Sequence, residues 1–198
     1  MSNSRDKILA AVKNNQPSFS ELPDISGLGI DRSESRMLAD KFLSSLQTIG
    51  GHCKKVSNYN EISETIKYQF PDAKRIVTSI SELNDIAEVY CATDVIESAD
   101  NIDVAVLSAH FGVAENGAVW LTEDIMCDRV LPFICQHLVV VISADNIVPN
   151  MHEAYKTIGN RDSGFSIFIA GPSKTADIEQ SLVLGAHGPI SMTVFILE

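Results

Sequence analysis

The sequence predicts an α/β domain of three layers, with a mainly parallel central sheet flanked by helices. Two observations carry the prediction. Strand-like and helix-like segments alternate along most of the chain, the pattern of crossover-connected sheets. The clearest strands, "HLVVVIS" (137–143), "FSIFIA" (165–170) and "MTVFIL" (192–197), are nearly continuous apolar runs. Such runs suit strands covered on both faces, and these three are expected to be parallel neighbours in one sheet.

The elements follow in order. Residues 4–14 read as a short amphipathic helix with Ile8 and Val12 on one face. "QPSFSELPDISGLGID" holds two prolines and two glycines and reads as a linker. Residues 1–32 are therefore expected to be an appendage and 33–198 the domain. The arm could instead wrap a neighbouring subunit, which would make the protein a homo-oligomer. Leu38, Phe42, Leu46 and Ile49 then fall on one helical stripe, and Gly50-Gly51 stops it. "CKKVS" supplies a first strand. Asn60 is expected to cap a helix carrying Ile62, Ile66 and Phe70 and ended by Pro71. "RIVTSI", "DVAVLSA" and "GAVWLT" read as strands, and "NMHEAYKTIG" and "TADIEQSLVLG" as helices.

Composition narrows function. The 198 residues are 45% hydrophobic and 21% charged, with a formal net charge of −11. So acidic a chain is a poor partner for nucleic acid or an anionic membrane, whose phosphates are neutralised by Lys and Arg. A small anion held by local donors stays open. No apolar stretch approaches membrane-spanning length and no secretory signal is evident, so the expected location is cytoplasmic. Cys53, Cys91, Cys127 and Cys135 include no C-x-x-C pair, and neither they nor His110, His137 and His152 show metal-ligand spacing. No metal or cofactor of the chain's own is expected.

Three stretches could carry chemistry. In "AGPSKTADIEQSLVLG" a strand ends near Ala170 and a helix starts near Ser173 or Thr175, with Ile178, Leu182 and Val183 on its apolar face. A helix N-terminus offers free N–H groups, and Gly171, Ser173, Lys174 and Thr175 would line an anion site there. The alternative is a plain helix cap, with Asp177 and Glu179 already complementing the dipole. "GAHGP" adds His187 as a donor or acid–base group. In "HFGVAENGAVWLT", Glu115, Asn116 and Gly117 form a turn between apolar runs, either a catalytic carboxylate with its ligand-binding neighbours or a surface turn. Arg129, ahead of "VLPFICQH", is either an anion clamp or the partner of Glu123, Asp124 or Asp128. The turn at 115–117, the 171–175 loop and His187 are expected to meet at the carboxyl edge of the sheet.

"GVAENGAVWL", "RVLPFICQHLVVVISADNIV", "GPSKTADIEQSLVLGAHGP" and "TVFIL" occur in this order. Together they make residues 33–198 resemble the LUD domain family, of the lactate-utilization protein C type. The resemblance implies the fold of ribose-phosphate isomerases, CoA-transferases and formyltetrahydrofolate cyclo-ligase. It implies membership of a protein set that oxidises L-lactate to pyruvate, whose companions carry the iron–sulfur clusters. This chain would then be an accessory subunit without a redox centre. "AENG" is also similar to the Glu-Asn-Gly element of class I CoA-transferases, which would make Glu115 a nucleophile; no paired second domain accompanies it. A small CoA-transferase or cyclo-ligase-like enzyme acting on an anionic substrate is the alternative, and a ligand-sensing module a third reading.

Overall fold

The structure is a computed structural model that describes residues 3–21, 23–24, 35–90, 101–161, 163–176, 182–185 and 187–198. The chain divides into two compact units, Met1–Ile30 and Asp31–Glu198. The first contains α1 (Ser4–Asn14), whose N-terminus is capped by the Asn3 side chain accepting the Arg5 N–H.

The second unit is built on a six-stranded, entirely parallel sheet. Its strands are β1 (His52–Val56), β2 (Ile76–Thr78), β3 (Glu88–Val89), β4 (Val104–Ser108), β7 (His137–Ser143) and β12 (Ser191–Leu197), in the order β1-β12-β7-β4-β2-β3. Alternate side chains go to opposite faces, as a pleated strand requires. Ala105, Leu107, Leu138, Val140, Val194 and Ile196 join one core, with Leu38, Phe42 and Leu46 of α2 (Ser35–Thr48). Val104, Val106, Val139, Val141 and Phe195 join another, with Ile62 and Ile66 of α3 (Tyr59–Gln69). Both faces are apolar because both are covered, which is why these strands read as continuous apolar runs.

A second, four-stranded sheet packs on the α2 side. It runs β8-β5-β6-β9, from β8 (Ile147–Val148), β5 (Phe111–Val113), β6 (Ala118–Thr122) and β9 (Ser166–Ile169). Val119 and Leu121 face the larger core, while Phe111, Val113 and Trp120 face α6 (Met151–Ile158) through Ala154. Two one-turn helices, α4 (Glu123–Met126) and α5 (Leu131–Ile134), lead from β6 to β7.

The architecture is the α/β one expected, with three local corrections. Residues 165–170 do not join the parallel sheet: β9 pairs antiparallel with β6, Val119 opposite Ile169 and Thr122 opposite Ser166. Its apolar run has another cause. Phe165, Ile167 and Ile169 pack on the larger core while Phe168 packs under α6, so this sheet too is covered on both sides. The helix expected from Thr175 is instead a hairpin of β10 (Lys174–Ala176) and β11 (Leu182–Leu184), Thr175 opposite Val183. Short apolar runs satisfy helical and strand spacing alike, and here β-branched Thr175 and Val183 stand in strands. Residues 177–181 and the side chains of Leu182 and Val183 lie outside the described residues, as does Cys91. Finally, Asn58 rather than Asn60 caps α3: its side chain accepts the Glu61 N–H at 3.0 Å, and Glu61 reaches back to the Ser57 N–H at 3.0 Å. That reciprocal pair satisfies two orphan donors, and Asn60 falls inside the helix.

Candidate functional site

The Glu115–Gly117 turn is fixed by α2 and α6. The Ser45 hydroxyl donates to the Ala114 carbonyl at 2.7 Å, and the Glu115 carboxylate accepts the Met151 N–H at 3.0 Å. The Asn116 side chain accepts the Ala118 N–H at 3.0 Å. Gly117 has φ +70°, and a Cβ there would lie 2.8 Å from the backbone of Leu46. Only glycine suits that close approach and left-handed backbone.

The Gly171–Thr175 loop meets the other end of the same helix turn. Gly171, at φ +74°, lies against the Ile49 carbonyl, which accepts a hydrogen bond from the Lys174 ammonium. Continuing the β6–β9 register by two residues brings Gly117 opposite Gly171, so both loops extend one end of the second sheet. Ser173 donates its N–H to Pro189 at 2.9 Å, and Ile190 donates to Gln136 at 2.8 Å. Those bonds tie the loop to the amino ends of β12 and β7. The expected position at the carboxyl ends of the parallel strands is thus not where Ser173 sits. Thr175 stands in a strand, and among the described residues no helix N-terminus lies beside it. His187 is exposed in the turn whose Gly188 packs against Ser173. Arg129 is at the other end of the second sheet: it pairs with Glu123 at 2.8 Å and lies 6.0 Å from the Phe165 ring centre.

The carboxyl ends of the parallel strands hold a different group. Beyond β4 comes His110, and beyond β7 comes Asp145. Thr122 closes β6, and Asp124 follows in α4. The His110 Nε2 lies 2.6 Å from the buried Thr122 hydroxyl, which donates in turn to Asp124; His110 Nε2 and Asp124 are 3.9 Å apart. The Thr122 bond is the largest influence holding the Asp124 carboxyl below its ordinary range. Arg161, just past α6, completes the lining. Two cavities of about 450 and about 410 Å³ share His110 and Arg161; the first also meets Thr122, Asp124 and Ser163, the second Phe111, Asp145 and Val148. Ligands of open α/β sheets collect at this edge. Metal-ligand spacing, the only ground on which His110 stands out in the sequence, does not find this group. The usable signal is its place directly after the strand 104–108, with Thr122-x-Asp124 directly after another.

A smaller cavity of about 230 Å³ opens at the amino edge, between Phe70, Asp103 and His137. Two of its polar side chains make hydrogen bonds elsewhere. Asp103 accepts the N–H groups of Lys74 and Arg75, and His137 Nδ1 lies 2.7 Å from the Ser191 hydroxyl.

Two of the four cysteines are poorly suited to hold an iron–sulfur cluster. Burial pushes the thiols of Cys53 and Cys135 up to about 12, so both stay protonated. Among the described residues no three His, Cys, Asp or Glu side chains converge to hold a metal ion, and no helix is long and apolar enough to cross a membrane.

Comparison with known proteins matches this architecture. A family model described as the LUD domain covers residues 88–197. A lactate utilization protein C of Oceanobacillus iheyensis is 26% identical over 184 residues, 90% of this chain and 70% of that protein. One of Anoxybacillus flavithermus is 34% identical over 105 residues, 52% of this chain; the aligned stretch spans about half of that relative, 48%. The crystal structure of a DUF162 family protein from Deinococcus radiodurans has a TM-score of 0.66 at 16% identity, covering 83% of this chain and 99% of that one, which shows a shared fold. By the family match over more than half its length, the chain belongs to the LUD domain family.

Proposed function

We propose that this protein is an accessory component of a cytoplasmic L-lactate oxidation system whose electron acceptor is an iron–sulfur centre carried by partner proteins. The observation that carries the reading is the 26% identity to a lactate utilization protein C across 90% of the chain. Oxidising a hydroxy acid to an oxo acid removes two electrons and two protons. Side chains accept protons, but a cofactor must take the electrons. The thiols of Cys53 and Cys135, both pushed up by burial, favour placing that cofactor on a partner. What this chain offers is an imidazole at a sheet edge: His110, oriented by Thr122 and Asp124, can hold or take a proton in a cleft open to small molecules.

Deleting the gene and following growth on L-lactate tests the reading. Loss of growth on L-lactate, with normal growth on pyruvate and rescue by the intact gene, is expected. Unimpaired growth of the deletion strain on L-lactate refutes it.

A further inference from the structure

We propose that the His110 cleft binds a small hydroxy-carboxylate, with the Arg161 guanidinium taking the carboxylate and the His110 imidazole taking the hydroxyl. This rests on reading the cleft as the chain's small-molecule site and adds the class of ligand.

The hydrogen-bond chain sets the imidazole's polarity. The Thr122 hydroxyl has one proton and gives it to Asp124, so toward His110 it can only accept. Nε2 of His110 therefore carries hydrogen. In the neutral ring Nδ1 is then a lone-pair nitrogen, and among the described residues no hydrogen bond occupies it. It is an acceptor suited to a ligand hydroxyl. Arg161 is exposed and forms no ion pair among the described residues, which leaves its fork of donors available to a carboxylate.

The other charges limit what can bind. Asp124 and Asp145 also line the two cavities, so among the described residues the cleft holds one permanent cation against two carboxylates. A ligand with a single delocalised negative charge can sit on Arg161. A phosphate, with more charge in a compact group, meets repulsion from both carboxylates. A hydroxyl adds a donor that His110 or Asp145 can accept, whereas an oxo group adds only another acceptor. Phe111 and Val148 give an apolar wall for a short alkyl group. Both cavities exceed the needs of a three-carbon acid, so the geometry assigns a class and not a chain length.

Isothermal titration calorimetry of the full chain with L-lactate, pyruvate and inorganic phosphate at matched ionic strength tests this. Affinity is expected to fall in that order. Arg161→Gln, at an exposed position that leaves the fold intact, should weaken L-lactate binding on the order of 10-fold or more. Asp145→Asn should narrow the gap between L-lactate and phosphate. Phosphate binding as tightly as L-lactate, unchanged binding in Arg161→Gln, or no saturable heat with any probe would each overturn the proposal. Binding of the expected order in a protein whose deletion leaves growth on L-lactate intact would refute the accessory role and keep the site. A growth defect without binding would do the reverse.

Discussion

The Glu115 carboxylate accepts the backbone N–H of Met151 at 3.0 Å, tying the turn before β6 to the first residue of α6. That bond gives Glu115 a structural role, because it satisfies one of the unpaired donors at a helix start. Glu115→Ala should destabilise the fold by about 1 kcal/mol, read as a lower urea midpoint, because the Met151 donor is left to solvent. Glu115→Gln keeps an acceptor and should cost less. If Glu115→Gln folds normally yet fails to restore growth on L-lactate, the carboxylate has a chemical role beyond this bond.

Gly117→Ala should be far more damaging than Gly159→Ala. Both glycines have positive φ, +70° and +57°. A Cβ at Gly117 would stand 2.8 Å from the Leu46 backbone, whereas the nearest atom at Gly159 is 3.8 Å away. Gly159, at φ +57° and ψ −137°, lies in a region nearly restricted to glycine, so backbone strain alone costs on the order of 1–3 kcal/mol there. At Gly117 the helix must also move, and a larger loss in urea unfolding is expected. Equal losses at the two positions would contradict the close packing of the turn on α2.

Asp103 should contribute to acid stability. The N–H groups of Arg75 and then Lys74 hold its carboxyl below the ordinary carboxylate range. A depressed folded-state pKa gives stability that is full above the unfolded value, about 3.9, and lost as pH falls through the folded value. Wild type should therefore lose stability on acidification below about pH 4, and Asp103→Asn should show a shallower slope there. Urea midpoints measured between neutral and acid pH check this; parallel curves would show that Asp103 titrates alike in both states.

Cys53 and Cys135 should resist a thiol reagent in the folded protein at mildly alkaline pH. Desolvation raises both to about 12, against the opposing backbone hydrogen bonds of Lys54 and Ala105, so neither forms thiolate to any extent. Mass mapping after alkylation should find both unmodified until denaturant is added. Rapid labelling of either in the native state would show a reactive thiol and reopen a redox role for it.

The parallel sheet was legible because its strands are buried on both faces, which writes large apolar residues at consecutive positions, from Leu138 to Ile142 and, with Phe195 among them, from Val194 to Leu197. The same signature misplaced β9, since a strand sandwiched between Ala154 of α6 and the larger core is apolar on both sides without being parallel. Sheet membership depends on pairing partners distant in sequence, here Trp120 with Phe168, and apolar pattern does not encode that. The stripe Leu38, Phe42, Leu46 and Ile49 identified α2 because the odd step to Ile49 keeps it on the same helical face, whereas a strand would turn it to the opposite face. In the 174–184 hairpin the runs are three residues long, too short for spacing to choose. The His110 cleft was hidden for a different reason. Its parts are 51 residues apart in the chain, from His110 to Arg161, and none sits in a glycine-rich turn, the feature that drew attention to Glu115 and Ser173.

The accessory role is tested most directly by reconstitution. Iron–sulfur proteins recovered with this chain from lactate-grown cells would be separated from it, then assayed for L-lactate-dependent reduction of an artificial electron acceptor. The account predicts that activity falls to background without this chain and returns when the purified chain is added back. Full activity of the separated iron–sulfur proteins alone would contradict it.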